Sequence, residues 1–254
     1  MDVYLDNNIL VSIENGNFSL QDIINLLPDK KHRFYYSCAH IFEVQHFKGN
    51  ADISAEALRS NRFKSIRTIF TNNYLYINNR DRAITYIKED PQVVYDTITS
   101  TSIGIPAMKD FMNLVSKEQK EAIRNQFGID SLLLNNLDSD AALSYLQEKI
   151  SAAGRYQSLR EMVENAVTLH PGNKDFGLYN RFAGMFEMLD LFGYWRDKET
   201  DNSNYARLWD SFHSFFASYC DYFISDDKRT RYKARLTYEI YNKNAKVQSS
   251  KGLL

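Results

Sequence analysis

At 254 residues the chain is long enough for a substantial hydrophobic core, and at roughly 150 residues per domain it predicts one large domain or one domain carrying a sizeable insertion. Its 31 basic and 32 acidic side chains leave a formal charge of -1, so nothing global announces nucleic acid or a membrane surface. Ten Gly and four Pro favour long helices over a turn-rich all-β design, and Cys38 and Cys220 are too few for a disulfide framework. There is no bilayer-spanning apolar run and no basic-then-apolar leader at Met1-Asp2-Val3, which together predict a cytoplasmic protein with no membrane partner.

The first local signal is Val3-Tyr4-Leu5 running into Asp6-Asn7-Asn8, a β-prone stretch stopped by turn-forming residues, which puts Asp6 at the carboxyl tip of a strand. Ser19 with Asp22 predicts a capped helix over Leu20 to Leu27, ended from outside by Pro28. Phe34 to Ser37 reads as a second strand, followed by helical spacing at Ile41 and Val44 with Glu43 near the helix start. Tyr74-Leu75-Tyr76-Ile77 predicts a third strand. Strand, helix, strand, helix is the pattern of a parallel α/β sheet.

Beyond it the strand signal fades and the middle reads as helices: Ser116 with Gln119 as a capping box closed by Gly128, then Leu143, Leu146 and Ile150, then Leu159, Met162, Val163 and Ala166. Phe182, Met185, Phe186, Leu189 and Phe192 continue the helical period, as core packing or as a surface for a partner protein or homodimer. A helix over about Tyr205 to Tyr219 buries Leu208, Phe212, Phe215, Phe216 and Tyr219, while Asp210, His213 and Ala217 form a second, small and polar stripe suited to a cleft wall. The strand Tyr222-Phe223-Ile224 then ends at Ser225-Asp226-Asp227.

Open α/β sheets bind ligands beyond the carboxyl ends of their strands, and two such ends here carry aspartates, Asp6 and Asp227, with Glu43 and Asp210 supplied by helices. Like charges gathered in one pocket raise one another's pKa, so an all-oxygen cluster of this kind predicts a bound Mg²⁺ or Mn²⁺, which can activate water and offset charge on a phosphodiester. These residues resemble the PIN and PIN-like domain nucleases. Tyr4-Leu5-Asp6-Asn7-Asn8-Ile9-Leu10 is similar to the family's opening strand, His40-Ile41-Phe42-Glu43 to its glutamate-bearing helix, and Asp210 to Asp227, 17 residues apart, to its closing helix and strand with Ser-x-Asp.

The resemblance covers about a third of the chain and implies a three-layer α/β/α fold with a central mostly parallel sheet. It implies hydrolysis of RNA, or less often structured DNA, at a site made by Asp6, Glu43, Asp210 and Asp227. Asp226 competes with Asp227 for the metal, and spacing favours Asp227. The helical middle has no counterpart in the family's smallest members, so the domain reading is a discontinuous nuclease domain over 1–80 and 205–254 interrupted by a helical insertion over 81–204.

His40 and His213 share helical faces with Glu43 and Asp210 and either orient an acid, touch phosphate or are ordinary hydrogen-bonded residues. Ser225 is no Gly-x-Ser-x-Gly nucleophile and is expected, with Asn7, to bond substrate or water. From Lys228 to Lys246 seven basic residues face Glu239 alone, which suits a phosphate backbone or a solvated helix face; Lys228, Arg229 and Lys233 are the candidates for substrate contact. The expected function is a Mg²⁺- or Mn²⁺-dependent endoribonuclease. The alternatives are a non-catalytic nucleic-acid or protein-binding module on the same scaffold and a structure-specific DNA nuclease.

Overall fold

A computed structural model of the chain describes residues 1–28, 31–50, 52–78, 83–101, 116–169, 177–196 and 203–251. Two compact units emerge, one made of Met1–Ile103, Phe216–Asp227 and Asn244–Leu254, the other of Gly104–Phe215 and Lys228–Lys243. In chain order the elements are β1 (Asp2–Leu5), α1 (Asn7–Glu14), α2 (Leu20–Leu26), β2 (Arg33–Ser37), α3 (Cys38–Gln45), α4 (Ala55–Phe70), β3 (Asn73–Ile77), β4 (Ile84–Lys88) and α5 (Pro91–Thr101). They continue with α6 (Lys117–Phe127), α7 (Ser131–Leu134), α8 (Ser139–Ala152), α9 (Leu159–Leu169), α10 (Leu178–Leu191), α11 (Ser203–Ala217), β5 (Tyr222–Ile224), α12 (Lys228–Ile240) and β6 (Lys246–Gln248).

The first unit is α/β. Its six-stranded sheet has the order β4-β3-β2-β1-β5-β6; every neighbouring pair is parallel except β3 with β4. Val3, Tyr4 and Leu5 are fully buried, as are Phe223 and Ile224, which is why these strands read as unbroken apolar runs rather than alternating ones. The chain leaves β1 toward β2 and β3 on one side and returns to β5 and β6 on the other. The strand order therefore reverses at β1, between β2 and β5, the kind of position at which open α/β sheets bind ligands. Ile9, Leu10, Ile23, Ile41, Val44, Ile66 and Phe70 pack on this sheet.

Local signals account for most helix ends. Ser19 and Asp22 form the expected capping box, and Leu27 is extended ahead of Pro28, whose ring disfavours a helical predecessor. Ser116 and Gln119 cap α6, and Gly128 closes it at φ 63, a left-handed conformation that glycine adopts without strain.

The boundaries of the helical insertion differ from the sequence reading. Residues up to 103 stay with the sheet because Ile84 to Lys88 pair residue by residue with β3, a strand whose side chains are exposed or half-buried. The helical unit in turn takes α11 as far as Phe215, together with α12. The Tyr238 hydroxyl donates to the Ser214 carbonyl at 2.7 Å and the Phe182 and Tyr238 rings lie 6.1 Å apart, so α12 belongs to the helical core and is no solvated face. Phe182, Met185, Phe186, Leu189 and Phe192 are fully buried in the same unit. Among the described residues no helix is long and apolar enough to cross a membrane.

Neither cysteine is disulfide-bonded. Burial pushes the Cys38 thiol up to about 12 and the Cys220 thiol well above its ordinary value. Because the thiolate is the reacting form, iodoacetamide labelling of the native chain at pH 8 is expected to run roughly 10³-fold slower than that of a free thiol. Labelling of both cysteines at the free-thiol rate before unfolding would contradict the burial.

Candidate functional site

β1 hands over to α1 at Asp6, whose extended backbone (φ -66, ψ 157) makes it the N-cap. Its carboxylate is 3% exposed as a residue and accepts three hydrogen bonds: Oδ1 from the Asn7 amide at 2.7 Å, and Oδ2 from Asn8 Nδ2 and the Ser225 hydroxyl, both at 2.6 Å. Ser225 follows β5 directly. Its Oγ accepts the Asp227 amide at 3.2 Å and Asn8 Nδ2 at 3.1 Å, while Asn8 Oδ1 accepts the Asp226 amide at 2.9 Å. One hydroxyl thus joins the carboxylate at the tip of β1 to the backbone of Asp227 at the tip of β5.

Of the two competing aspartates, Asp226 is engaged by the chain beyond β6. Both its oxygens accept from Ser250, Oδ1 from its amide at 2.9 Å and Oδ2 from its hydroxyl at 2.7 Å. That carboxylate clips the C-terminal segment to the sheet.

Glu43 is half-buried on α3 and accepts a hydrogen bond from the Asn7 side-chain amide. The Asn7 carbonyl oxygen accepts from Arg62, which fixes which way the amide points: oxygen to the cation, nitrogen to the carboxylate. The Arg62 side chain is 6% exposed and grips Glu14 with both Nε and Nη2, at 2.8 and 2.9 Å. Its guanidinium carbon lies 5.2 Å from the centroid of the Phe47 ring. Asn7 therefore orients Glu43 and is not a ready substrate contact.

His40 is a correction. It is fully buried, its Nε2 meets the Leu5 carbonyl at 2.9 Å, and its Nδ1 takes the Ser37 amide at 3.2 Å. A carbonyl can only accept and an amide N–H only donate, so the ring serves as a neutral imidazole protonated at Nε2. It braces the β1 tip through the Leu5 carbonyl. The Tyr4 hydroxyl, 2.7 Å from Ser37 Oγ and 3.3 Å from His40 Nδ1, completes this support, and burial raises its pKa well above the ordinary phenol value. Ser225, also fully buried and bonded to Asp6, positions that acid instead of meeting substrate.

Asp6, Glu43 and Asp227 belong to the sheet unit, whereas Asp210, His213, Lys228, Arg229 and Lys233 belong to the helical unit. His213 and Ala217 are fully buried and Asp210 is half-buried, so two of the three members of the stripe expected to line a cleft are interior. Lys233, expected near the substrate, is 1% exposed and lies with its Nζ 3.7 Å from Asp190 Oδ1. Lys228 sits over the Trp195 ring, 4.4 Å from its centroid. Arg229 is half-buried. The basic run is split in this way between core and surface.

Sequence reasoning missed Asn8, Glu14, Arg62 and Ser250. Arg62 was readable in principle, since Arg62, Ile66, Ile69 and Phe70 fall on one helical stripe and all are buried.

Among the described residues no three His, Cys, Asp or Glu side chains gather into a group able to hold an ion. A caged metal does not fit the side chains as they stand. A hydrated Mg²⁺, which keeps several waters and takes only one or two carboxylates, requires no more than Asp6 and Asp227 at adjoining strand ends. In comparisons with known proteins the chain matches no protein-family model, no curated protein and no solved structure.

Proposed function

We propose that the chain is a PIN-like endoribonuclease dependent on Mg²⁺ or Mn²⁺. The observation that carries the reading is the meeting of the Asp6 carboxylate and the Asp227 backbone amide on the Ser225 hydroxyl, where β1 and β5 run parallel and the strand order reverses. Asp6 and Asp227 would hold the ion. When bound, such an ion supplies charge that eases deprotonation of an attacking water and offsets the negative charge building on phosphorus. The chain's own residues do the rest. Ser225 and Asn8 fix the Asp6 carboxylate, Asn7 aims Glu43 as a proton acceptor, and His40 and Tyr4 hold the β1 tip rigid beneath them.

One observation favours a second reading, a nucleic-acid-binding module without cleavage: the Asp6 carboxylate already accepts three hydrogen bonds. Labelled RNA and DNA strands incubated with millimolar Mn²⁺ or with chelator separate the two. The expected result is RNA cleavage with Mn²⁺ alone, and a melting temperature raised by roughly 3 °C by Mn²⁺ at about tenfold its Kd. RNA that is bound but uncut would establish the binding module, and intact RNA with an unmoved melting temperature would remove the metal site altogether.

A further inference from the structure

Arg62 forms part of a second feature of the sheet unit. A cleft of about 710 Å³ opens between α1, α4 and the segment after α3, lined among others by Glu14, His46, Phe47, Lys48, Arg62 and Lys64. Its volume lies within the roughly 300–1,000 Å³ of ligand clefts. Lys48, Arg62 and Lys64 bring three positive charges against Glu14 alone, leaving +2 with His46 neutral, in a chain whose total formal charge is -1. Glu14 is moreover already neutralised by the two-pronged grip of Arg62. Lys48 and Lys64 are exposed, and among the described residues neither ammonium has an ion-pair or hydrogen-bond partner.

This local excess has a fixed relation to the acidic site. Arg62 lines the cleft and also holds Asn7, whose amide meets Glu43. Along α1 the seven steps from Asn7 to Glu14 rise about 10 Å at 1.5 Å each.

We infer that the cleft between α1 and α4 is a subsite for the phosphodiester backbone of a single strand, gripped by Lys48 and Lys64 on the Arg62 side of the acidic site. Phosphate oxygens take the place of the missing partners of the two ammonium groups, and Phe47, half-buried at the cleft, offers a ring to a base. The proposal rests on the nuclease reading for its role in catalysis, and on the cleft alone for binding.

The test is fluorescence anisotropy of a labelled 12-nucleotide RNA, with a DNA strand of the same sequence in parallel, in chelator so that nothing is cut. Wild type is compared with Lys48→Gln/Lys64→Gln. Both positions are exposed, and circular dichroism checks that the fold is kept. Losing two phosphate contacts is expected to weaken binding roughly 25-fold at 0.1 M salt and to flatten the slope of log affinity against log salt by about 1.4. Equal loss on RNA and DNA assigns the grip to the phosphates, and a larger loss on RNA to the ribose as well. A double variant that binds like wild type, or a wild type that binds neither strand, overturns the subsite. The two readings fail separately: a chain that binds through Lys48 and Lys64 but never cuts with Mn²⁺ loses the nuclease and keeps the cleft, whereas a chain that cuts equally well without both lysines loses only the cleft.

Discussion

Asp6→Asn is expected to lower Mn²⁺-dependent RNA cleavage by roughly 10³-fold and, unlike a merely chemical knock-out, to cost about 2–3 kcal/mol of stability. From the sequence the swap looks harmless, since it removes charge with little change of shape. The structure shows otherwise, because both carboxylate oxygens already receive donors, Oδ1 from the Asn7 amide and Oδ2 from Asn8 and Ser225. Whichever way an asparagine amide turned, its NH₂ would face a donor in a buried place, and a donor left unsatisfied there bears its full desolvation cost. Ser225→Ala is the graded companion: it keeps the charge, removes one donor, and is expected to cost about 1–2 kcal/mol with a smaller loss of rate. Urea unfolding and a cleavage time course measure the two effects. Cleavage by Asp6→Asn at the wild-type rate would refute the acidic site, and an unchanged urea midpoint would refute the bonding around Asp6.

Asp190→Ala is expected to destabilise the helical unit by about 5 kcal/mol, as much as the whole stability of many domains. Asp190 is 5% exposed as a residue. Its Oδ1 lies 3.0 Å from Arg207 Nη1 and 3.7 Å from Lys233 Nζ, and its Oδ2 lies 3.1 Å from Lys120 Nζ. Glu187 takes Arg207 Nε at 2.6 Å but cannot serve three cations. With the aspartate gone, Arg207 and Lys233, both 2% exposed as side chains, would lose the carboxylate they share while staying buried, the costly case for an ion pair. Thermal melting followed by circular dichroism reads the loss. Adding Lys233→Met should restore part of it, because the second change removes one of the stranded charges. A single variant that melts within a degree or two of wild type would show that the cluster contributes little.

The parts legible in the sequence are those with a local physical cause. β1, β2 and β5 are largely buried apolar runs stopped by polar residues, so composition marks them, and β3 keeps the β-prone run Tyr74-Leu75-Tyr76-Ile77 although Tyr76 is exposed. The caps at Ser19 and Ser116 are written within four residues each. β4 was hidden because it lies at the sheet edge, where Thr85 and Tyr86 face solvent, and β6 because three residues are too few to carry a period. In the proposed site, Asp6, Glu43 and Asp227 were readable as candidates from strand ends and helix starts. Lys233 was not readable as a core residue, since a cation in a charged helix looks like a solvated one until its partner, Asp190, is placed from a distant segment. The opposite error befell His40 and Ser225, whose chemistry suggests ligand contact while their hydrogen bonds are spent on the Leu5 carbonyl and the Asp6 carboxylate.

The bond between Ser225 and Asp6 closes a separation of 219 residues, and that separation sets a schedule on the ribosome. At roughly 5–20 residues per second, Asp6 leaves the exit tunnel about ten to forty seconds before Ser225 and Asp227 follow, and β1 meanwhile has no partner on its β5 side. Nascent chains of every intermediate length carry the first acid without the second. On the proposed reading, hydrolysis that needs both acids waits until residue 227 has emerged, and a product that ends between them has none.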